Sequence, residues 1–305
     1  MPPDNDIILK KKTSRIRKAA ILLLKLLITA FCFWYISRKI DFAEAARTLR
    51  EANFLYLVTG LVMYFISKVI ASARLNVYFK NIGLMLPQAL NFRLYLLGLF
   101  YNLFLPGSIG GDAYKVVLLK KRLNAPYRKT SLAVLIDRFS GLLGLGVMLC
   151  FFGWRVIEDG RIALALPIGL AITTAASYFT IKQWANDFLP GFWPTFLLGL
   201  CVQVFANASA FAIILSLDIH ANLNQYMFIF LVASVAAMLP LTLGGLGARE
   251  VVFYQLSSYF GLDVHSSILI GLLFYFMTVI ASATGLPYIF IDPLKGVKNH
   301  EPEAT

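Results

Sequence analysis

The sequence predicts an all-α polytopic membrane protein built as an inverted repeat, with about six full spans and two re-entrant hairpins of broken helix. Three observations lead to this fold class. Of the 305 residues, 59% are hydrophobic and only 14% are charged, whereas a soluble domain carries about 25% charged residues. Several apolar runs approach the roughly 20 residues that cross a bilayer. A glycine-rich basic motif also occurs twice, at residues 105–115 and 239–250, with an offset of 134 residues.

The charges stand where a membrane protein carries them. The formal net charge is +12, but Lys and Arg cluster at the ends of apolar runs, so we expect no nucleic-acid partner. The basic arm at residues 1–18 predicts a cytoplasmic N-terminus. Cys32, Cys150 and Cys201 lie within apolar runs, which is typical of packing residues. The histidines show no metal-ligand spacing, and we expect neither a metal nor a cofactor.

The first half of the predicted repeat covers residues 19–154. The run at 19–36 predicts a retained first span, and the run at 54–73 predicts a second. Lys68 and Arg74 are interpreted as interfacial anchors near the cytoplasmic end of that second span.

The run at residues 94–105 stops at Pro106 and has basic flanks on both sides. Both flanks therefore belong in the cytoplasm, and the segment is predicted to enter the membrane, break and return. The next span, 132–154, begins with Asp137 and Arg138, interpreted as a structural pair that anchors this span to the hairpin.

The second half, residues 161–291, repeats this order with opposite topology. Spans are predicted at 162–181, 195–217 and 266–291, with a hairpin between the second and third that breaks at 240–247. Residues 292–305 form a predicted cytoplasmic tail. Gln203 and Asn207 share one face of the span at 195–217 and predict hydrogen bonds between helices.

The first motif reads LPGSIGGDAYK from residue 105. Pro106 lacks an N–H and ends the preceding helix, and a helix that restarts near Asp112 would direct free N–H groups and a positive dipole end at the break. Such a terminus binds phosphate. Asp112 either caps this helix or contacts substrate or a proton directly. The predicted substrate-binding residues of this half are Gly107, Ser108, Gly110, Gly111, Asp112, Lys115 and Arg138.

The second motif reads LPLTLGGLGARE from residue 239. Arg249 is equivalent to Lys115, and ionisable groups inside a membrane are functional hypotheses by default. The alternatives are that Lys115 snorkels to the interface, and that Arg249 forms an internal ion pair with Glu250 or Asp112. The predicted substrate-binding residues of this half are Thr242, Gly244, Gly245, Gly247, Arg249 and Glu250.

These two glycine motifs, together with Asp137-Arg138, resemble the flippase-like transmembrane family, which includes the membrane half of the bacterial lysylphosphatidylglycerol synthases. The resemblance covers nearly the whole chain. In the large synthases a soluble aminoacyl-transfer domain follows the membrane part, whereas this sequence ends shortly after Pro293. The resemblance therefore implies lipid translocation or handling, and a stand-alone form without aminoacyl-transfer activity.

The leading functional hypothesis is a protein that moves, or helps to move, an anionic lipid or lipid-linked intermediate between leaflets. One alternative is an intramembrane lipid-modifying transferase in which Asp112 or Glu250 acts as base. Another is a non-transporting partner subunit of a lipid-synthesis or cell-envelope complex. The expected partners are therefore membrane lipid and, in the last case, a lipid-synthesis enzyme.

Overall fold

The computed structural model describes residues 47, 50–104, 110–238 and 247–295. The predicted basic arm, the predicted first span at 19–36 and the centres of both motifs lie outside these residues.

All regular elements in the described ranges are helical. They are α1 (Phe54–Asn81), α2 (Gln88–Phe104), α3 (Gly110–Leu123), α4 (Tyr127–Val156), α5 (Gly160–Trp184), a 3-10 helix (Asn186–Gly191), α6 (Phe192–Ser216), α7 (Leu223–Met238), α8 (Ala248–Tyr259), α9 (Val264–Ala283) and the short α10 (Pro287–Phe290).

Five helical segments are long and apolar enough to cross a bilayer: Phe54–Asn81, Tyr127–Val156, Gly160–Trp184, Asn186–Ser216 and Val264–Phe290. They confirm the five spans that were predicted after residue 50. The first of these is longer than predicted, since α1 begins at its cap Asn53, whose side chain accepts a hydrogen bond from the Leu55 amide, and continues to Asn81. Lys68 consequently lies near the middle of a membrane-length helix.

The helices that flank each motif are shorter. At a rise of 1.5 Å per residue, α2 is about 25 Å long and α3 about 21 Å, both below the hydrocarbon thickness of about 30 Å. The two helices pack against each other, as do α7 and α8. Their positions preserve the sequence repeat, because α2 ends at Phe104 and α7 at Met238, 134 residues apart.

Close backbone contacts join α2 to α3 and α4 to α6. A Cβ atom on Gly111 of α3 would lie 2.0 Å from the carbonyl oxygen of Gly98 on α2. A Cβ atom on Gly144 of α4 would lie 2.7 Å from the backbone of Gly199 on α6. Small residues allow membrane helices to approach this closely, and packing of this kind drives their association.

The predicted polar link from α6 is confirmed for one of its two residues. Gln203 Nε2 donates to the carbonyl oxygen of Gly141 on α4 at 3.3 Å. For Asn207 the prediction is wrong, because its Nδ2 donates to the carbonyl oxygen of Gln203 in the same helix at 2.8 Å.

Two clusters of buried apolar side chains make up the core. One involves mainly α6, α7, α8 and α9, and the other involves α1 to α4 with the start of α6. The helix α1 contributes to both clusters and has its most extensive contacts with α6. In contrast, only 6% of the most apolar stretch of α5 is buried, so α5 is peripheral and contributes no residue to the charged interior.

Candidate functional site

A buried carboxylate joins α3 to α4. Asp112 lies in the first turn of α3, where its Oδ1 accepts from Lys115 Nζ at 2.8 Å and its Oδ2 accepts from Arg138 Nε at 2.5 Å. Asp112 and Lys115 are 7% and 4% exposed. The interpretation of Asp112 as a helix cap is therefore wrong, since α3 begins at Gly110 and this carboxylate binds two cations. Lys115 does not snorkel, because its ammonium group is buried and paired.

A second buried ion pair lies one residue earlier on α4. Arg74 of α1 binds Asp137 through two hydrogen bonds, from Nε to Oδ1 at 2.8 Å and from Nη2 to Oδ2 at 3.1 Å. Arg74 is only 6% exposed, so its interpretation as an interfacial anchor is wrong. The adjacent residues Asp137 and Arg138 thus anchor α4 to two different helices, α1 and the hairpin helix α3.

Two residues of α2, Gly98 and Tyr95, form the surroundings of the Lys115 side chain. This side chain passes over Gly98 of α2, where an added Cβ atom would lie 1.9 Å from Lys115 Cε. The ammonium group stands 4.8 Å from the centre of the Tyr95 ring. The sequence motif gave no indication of Gly98 or Tyr95, because both lie on the preceding helix.

In each motif, one backbone N–H group donates a hydrogen bond to a side chain. Asn102 of α2 accepts from the Gly111 amide through Oδ1 at 2.9 Å. In the second half, Glu250 Oε2 accepts from the Gly247 amide at 2.7 Å. Gly247 has φ of 88°, a left-handed conformation that favours glycine. In both motifs a side-chain oxygen therefore accepts a hydrogen bond from a glycine amide, but the accepting residues differ.

Arg249 forms no ion pair with any described residue. Asp112 binds other cations, and the Glu250 carboxylate, 1% exposed, accepts from the backbone of its own turn. The proposed alternatives of an Arg249–Glu250 or Arg249–Asp112 ion pair are therefore wrong. Arg249 Nε is buried and has no acceptor within the described ranges, and the guanidinium lies 4.8 Å from the centre of the Phe274 ring.

Lys68 is the second cation of α1, after Arg74, whose position differs from the sequence interpretation. It was interpreted as an interfacial anchor, but α1 extends well beyond it on both sides. Its ammonium group lies 4.2 Å from the centre of the Tyr64 ring. Helix periodicity contained the signal, since residues four apart share a face and Tyr64 four residues earlier is buried.

The two cations Lys68 and Arg249 flank one aromatic pair. The Tyr64 and Phe274 rings meet edge to face with centroids 5.2 Å apart. Each ring also contacts one of the two cations. A charged side chain at the centre of a bilayer costs about 2.5–3.5 kcal/mol on insertion scales, whereas a cation–π contact contributes about 0.5–2 kcal/mol. The ring contacts alone do not offset the cost of these charges.

The structure thus brings together most of the predicted site residues that it describes. Asp112, Lys115 and Arg138 form one network, and Gly111 packs against α2, while Gly110 is the half-buried first residue of α3. Gly247 and Glu250 form the start of α8, with Arg249 between them. The remaining predicted residues lie outside the described part of the chain: Gly107, Ser108, Thr242, Gly244 and Gly245.

These features define a class: a polytopic helical membrane protein whose charged interior lies beside two hairpins of short helices. Residues 22–285 match the model of the family described as "Lysylphosphatidylglycerol synthase TM region", and the chain belongs to this family. It is also similar to UPF0104 membrane protein PH1989 of Pyrococcus horikoshii, with 27% identity over 148 residues. That match covers 45% of this chain and 43% of the archaeal protein, so the chain spans less than half the length of this relative.

Proposed function

We propose that this protein moves an anionic lipid between the two leaflets of a bacterial inner membrane. One observation carries the proposal: the described interior contains more cations than acids. The cations are Lys68, Arg74, Lys115, Arg138 and Arg249, and the acids are Asp112, Asp137 and Glu250. Buried charges are stable in membranes when they pair or bind an ion on its path, and an anionic headgroup would supply the missing negative charge.

The repeat supplies a route for that headgroup. In the proposed topology the N-terminus is cytoplasmic, and the two hairpins enter the membrane from opposite faces. Paired broken helices of opposed direction are typical of transporters that bind substrate near the midplane. The 134-residue spacing of α2 and α7 and the short lengths of the hairpin helices support this arrangement.

The headgroup would pass between the two breaks while the acyl chains remain in lipid. In this scheme Lys115 and Arg138, both bound to Asp112, add positive potential on the side of the first hairpin, and Arg249 contacts the headgroup on the side of the second. The motif residues outside the described ranges, Gly107, Ser108, Thr242, Gly244 and Gly245, would line the path with small side chains and backbone groups. Rocking of one half against the other would alternate access.

The contacts of Asp112 support transport over the transferase alternative. A general base needs a free carboxylate within reach of substrate. Asp112 is held by two cations, and Glu250 is almost fully buried, although one of its oxygens has no hydrogen-bond partner in the described residues. We therefore propose a transporter without intrinsic lipid chemistry.

The test is a leaflet-exchange assay in proteoliposomes with acyl-chain-labelled lipids and an impermeant quencher. We expect exchange of phosphatidylglycerol to exceed that of phosphatidylcholine, because only the former carries net negative charge. The double variant Lys115→Ala and Arg249→Ala, reconstituted at equal level, should lose this exchange. The matched control Arg155→Ala removes a cation that also stacks on a ring, Phe151, but at an exposed helix end, and should exchange normally. Undiminished exchange by the double variant, or exchange no faster than in protein-free vesicles, would refute the proposal.

A further inference from the structure

We infer that Lys68 and Arg249 together form the subsite for the headgroup, and that this subsite selects a terminal phosphate, which carries two negative charges, over a phosphodiester. The inference rests on the proposed function, because it names the substrate class of the same interior. It adds Lys68, which lies outside both motifs.

The first argument is that some interior cations are paired with a carboxylate and others are not. Arg74, Lys115 and Arg138 each contact a carboxylate at 2.5–2.8 Å. Within the described ranges, Lys68 and Arg249 have no acid within 4.0 Å, and both contact aromatic rings instead. A ring face attracts a cation without neutralising it, so these two side chains keep their charge available for a ligand.

The second argument is access. Lys115 and Arg74 are fully buried by surrounding helices, whereas Lys68 and Arg249 are each half-buried. They approach the same Tyr64–Phe274 pair from two helices, α1 and α8. The ligand would therefore sit against an aromatic wall, with an ammonium group on one side and a guanidinium fork on the other. The Arg249 guanidinium contacts a ring and no described acid, and the fork geometry of Arg suits phosphate oxygens.

The third argument is charge balance. The interior cations named above exceed the acids by two charges. A phosphomonoester carries about −1.5 to −2 at pH 7 because its second pKa is about 6, whereas a phosphodiester carries one negative charge. A terminal phosphate on a lipid therefore matches the excess, and a simple phosphodiester headgroup leaves one positive charge uncompensated.

The experiment measures binding by the purified full chain in a neutral detergent, using titration calorimetry. The probes are dihexanoyl phosphatidic acid, which has a terminal phosphate, dihexanoyl phosphatidylglycerol, which has a phosphodiester, and inorganic phosphate. We expect the terminal-phosphate lipid to bind about tenfold more tightly than the phosphodiester lipid, a ratio in the range of one additional charge-assisted hydrogen bond. Equal affinity for the two lipids would overturn the inference. Inorganic phosphate that binds as tightly as the lipid, and displaces it completely, would assign the site to free phosphate instead.

The variants Lys68→Gln and Arg249→Gln should each abolish the preference for the terminal phosphate. The matched controls are Lys182→Gln, an exposed lysine at the end of α5, and Arg155→Gln, and both should retain it. Lys68→Arg conserves the charge and should retain the preference, which separates a binding role from a structural one. If Lys68→Gln does not fold, the wild-type pH profile decides: the preference should disappear below about pH 6, where the terminal phosphate becomes a monoanion. A preference that persists in Lys68→Gln, or at low pH, contradicts the inference.

The two proposals fail in different ways. Selective binding without leaflet exchange would refute translocation and leave the subsite intact. Leaflet exchange of anionic lipid without any preference for a terminal phosphate would refute the subsite alone.

Discussion

At the scale of single residues, the interior contains cations of two kinds. Arg74 is buried and bound by both oxygens of Asp137, so it holds α1 against α4. Lys68, on the same helix, contacts a ring and no described carboxylate. Breaking a buried pair costs more than breaking an exposed one, because the remaining charge is left without compensation away from water. Stability measurements can therefore separate structural charges from binding charges.

We expect Asp137→Asn to destabilise the protein by about 3–5 kcal/mol, because it leaves Arg74 buried without a counter-charge. The measurement is the thermal unfolding midpoint of the purified protein in detergent. The matched control is Asp187→Asn, which removes the partner of Lys129 from a pair whose side chains are 54% and 51% exposed, and which should cost about 0–1 kcal/mol. Equal shifts for the two variants would show that the Arg74–Asp137 pair does not stabilise the fold.

At the scale of elements, the first hairpin depends on two glycines with different roles. Gly98 provides the space through which the Lys115 side chain passes, and Gly111 provides the close approach of the α2 and α3 backbones. A flexible side-chain end can move at low cost, whereas a backbone carbonyl cannot. The two positions should therefore respond differently to the same substitution.

We expect Gly98→Ala to reduce anionic lipid exchange and to lower the unfolding midpoint less than Gly111→Ala does, because the new methyl group displaces the end of the Lys115 side chain while Asp112 keeps its contact with Arg138. Gly111→Ala should lower the unfolding midpoint, because its Cβ atom would lie 2.0 Å from the Gly98 carbonyl oxygen. Unfolding midpoints and the proteoliposome assay check both expectations.

The control for both variants is Gly169→Ala in α5, where nothing lies within 4 Å of an added Cβ atom. It should preserve exchange and add at most about 1 kcal/mol of helix stability. The opposite ranking, with Gly98→Ala unfolding the protein and Gly111→Ala tolerated, would contradict the described packing of the hairpin.

At the scale of the whole molecule, the proposed transport route depends on whether the two halves of the repeat cross the membrane in opposite orientations. The helices α2 and α3 precede α4, and α7 and α8 precede α9, in the same order and at nearly the same spacing. If the halves have opposed topology, the end of α3 and the end of α8 face opposite sides of the membrane. The dense cations of the last turn of α3, Lys120, Lys121 and Arg122, favour the cytoplasm for the first of these ends.

We expect Lys121→Cys to react with an impermeant thiol reagent from the cytoplasmic side only, and Tyr259→Cys from the outside only. Both positions are exposed, and Cys32, Cys150 and Cys201 are replaced in the background. Labelling in intact cells and in inverted vesicles provides the measurement. Reaction of both positions from the same side would refute the inverted repeat and, with it, the route proposed for the headgroup.

The sequence by itself determined the class of protein and the five described spans, and it predicts two breaks whose centres lie outside the described residues. These features depend on local properties: apolar length, basic flanks, and a proline with glycines that interrupt a helix. It also identified Asp112, Lys115 and Arg249 as interior groups, because charge inside an apolar motif is conspicuous. The extent of α1 was not determined in this way, since polar residues continue the helix to Asn81.

Only the tertiary structure decided which charges meet. Arg74 and Asp137 are 63 residues apart and Asp112 and Arg138 are 26 apart, and periodicity within one helix contains no information on how two helices cross. For this reason Arg74 and Lys68 received the same sequence interpretation, although one is paired with a carboxylate and the other lies on a ring. The contacts of Lys68 and Arg249 with Tyr64 and Phe274 arise because α1, α8 and α9 converge in the fold, and the pairing of each cation follows from that convergence.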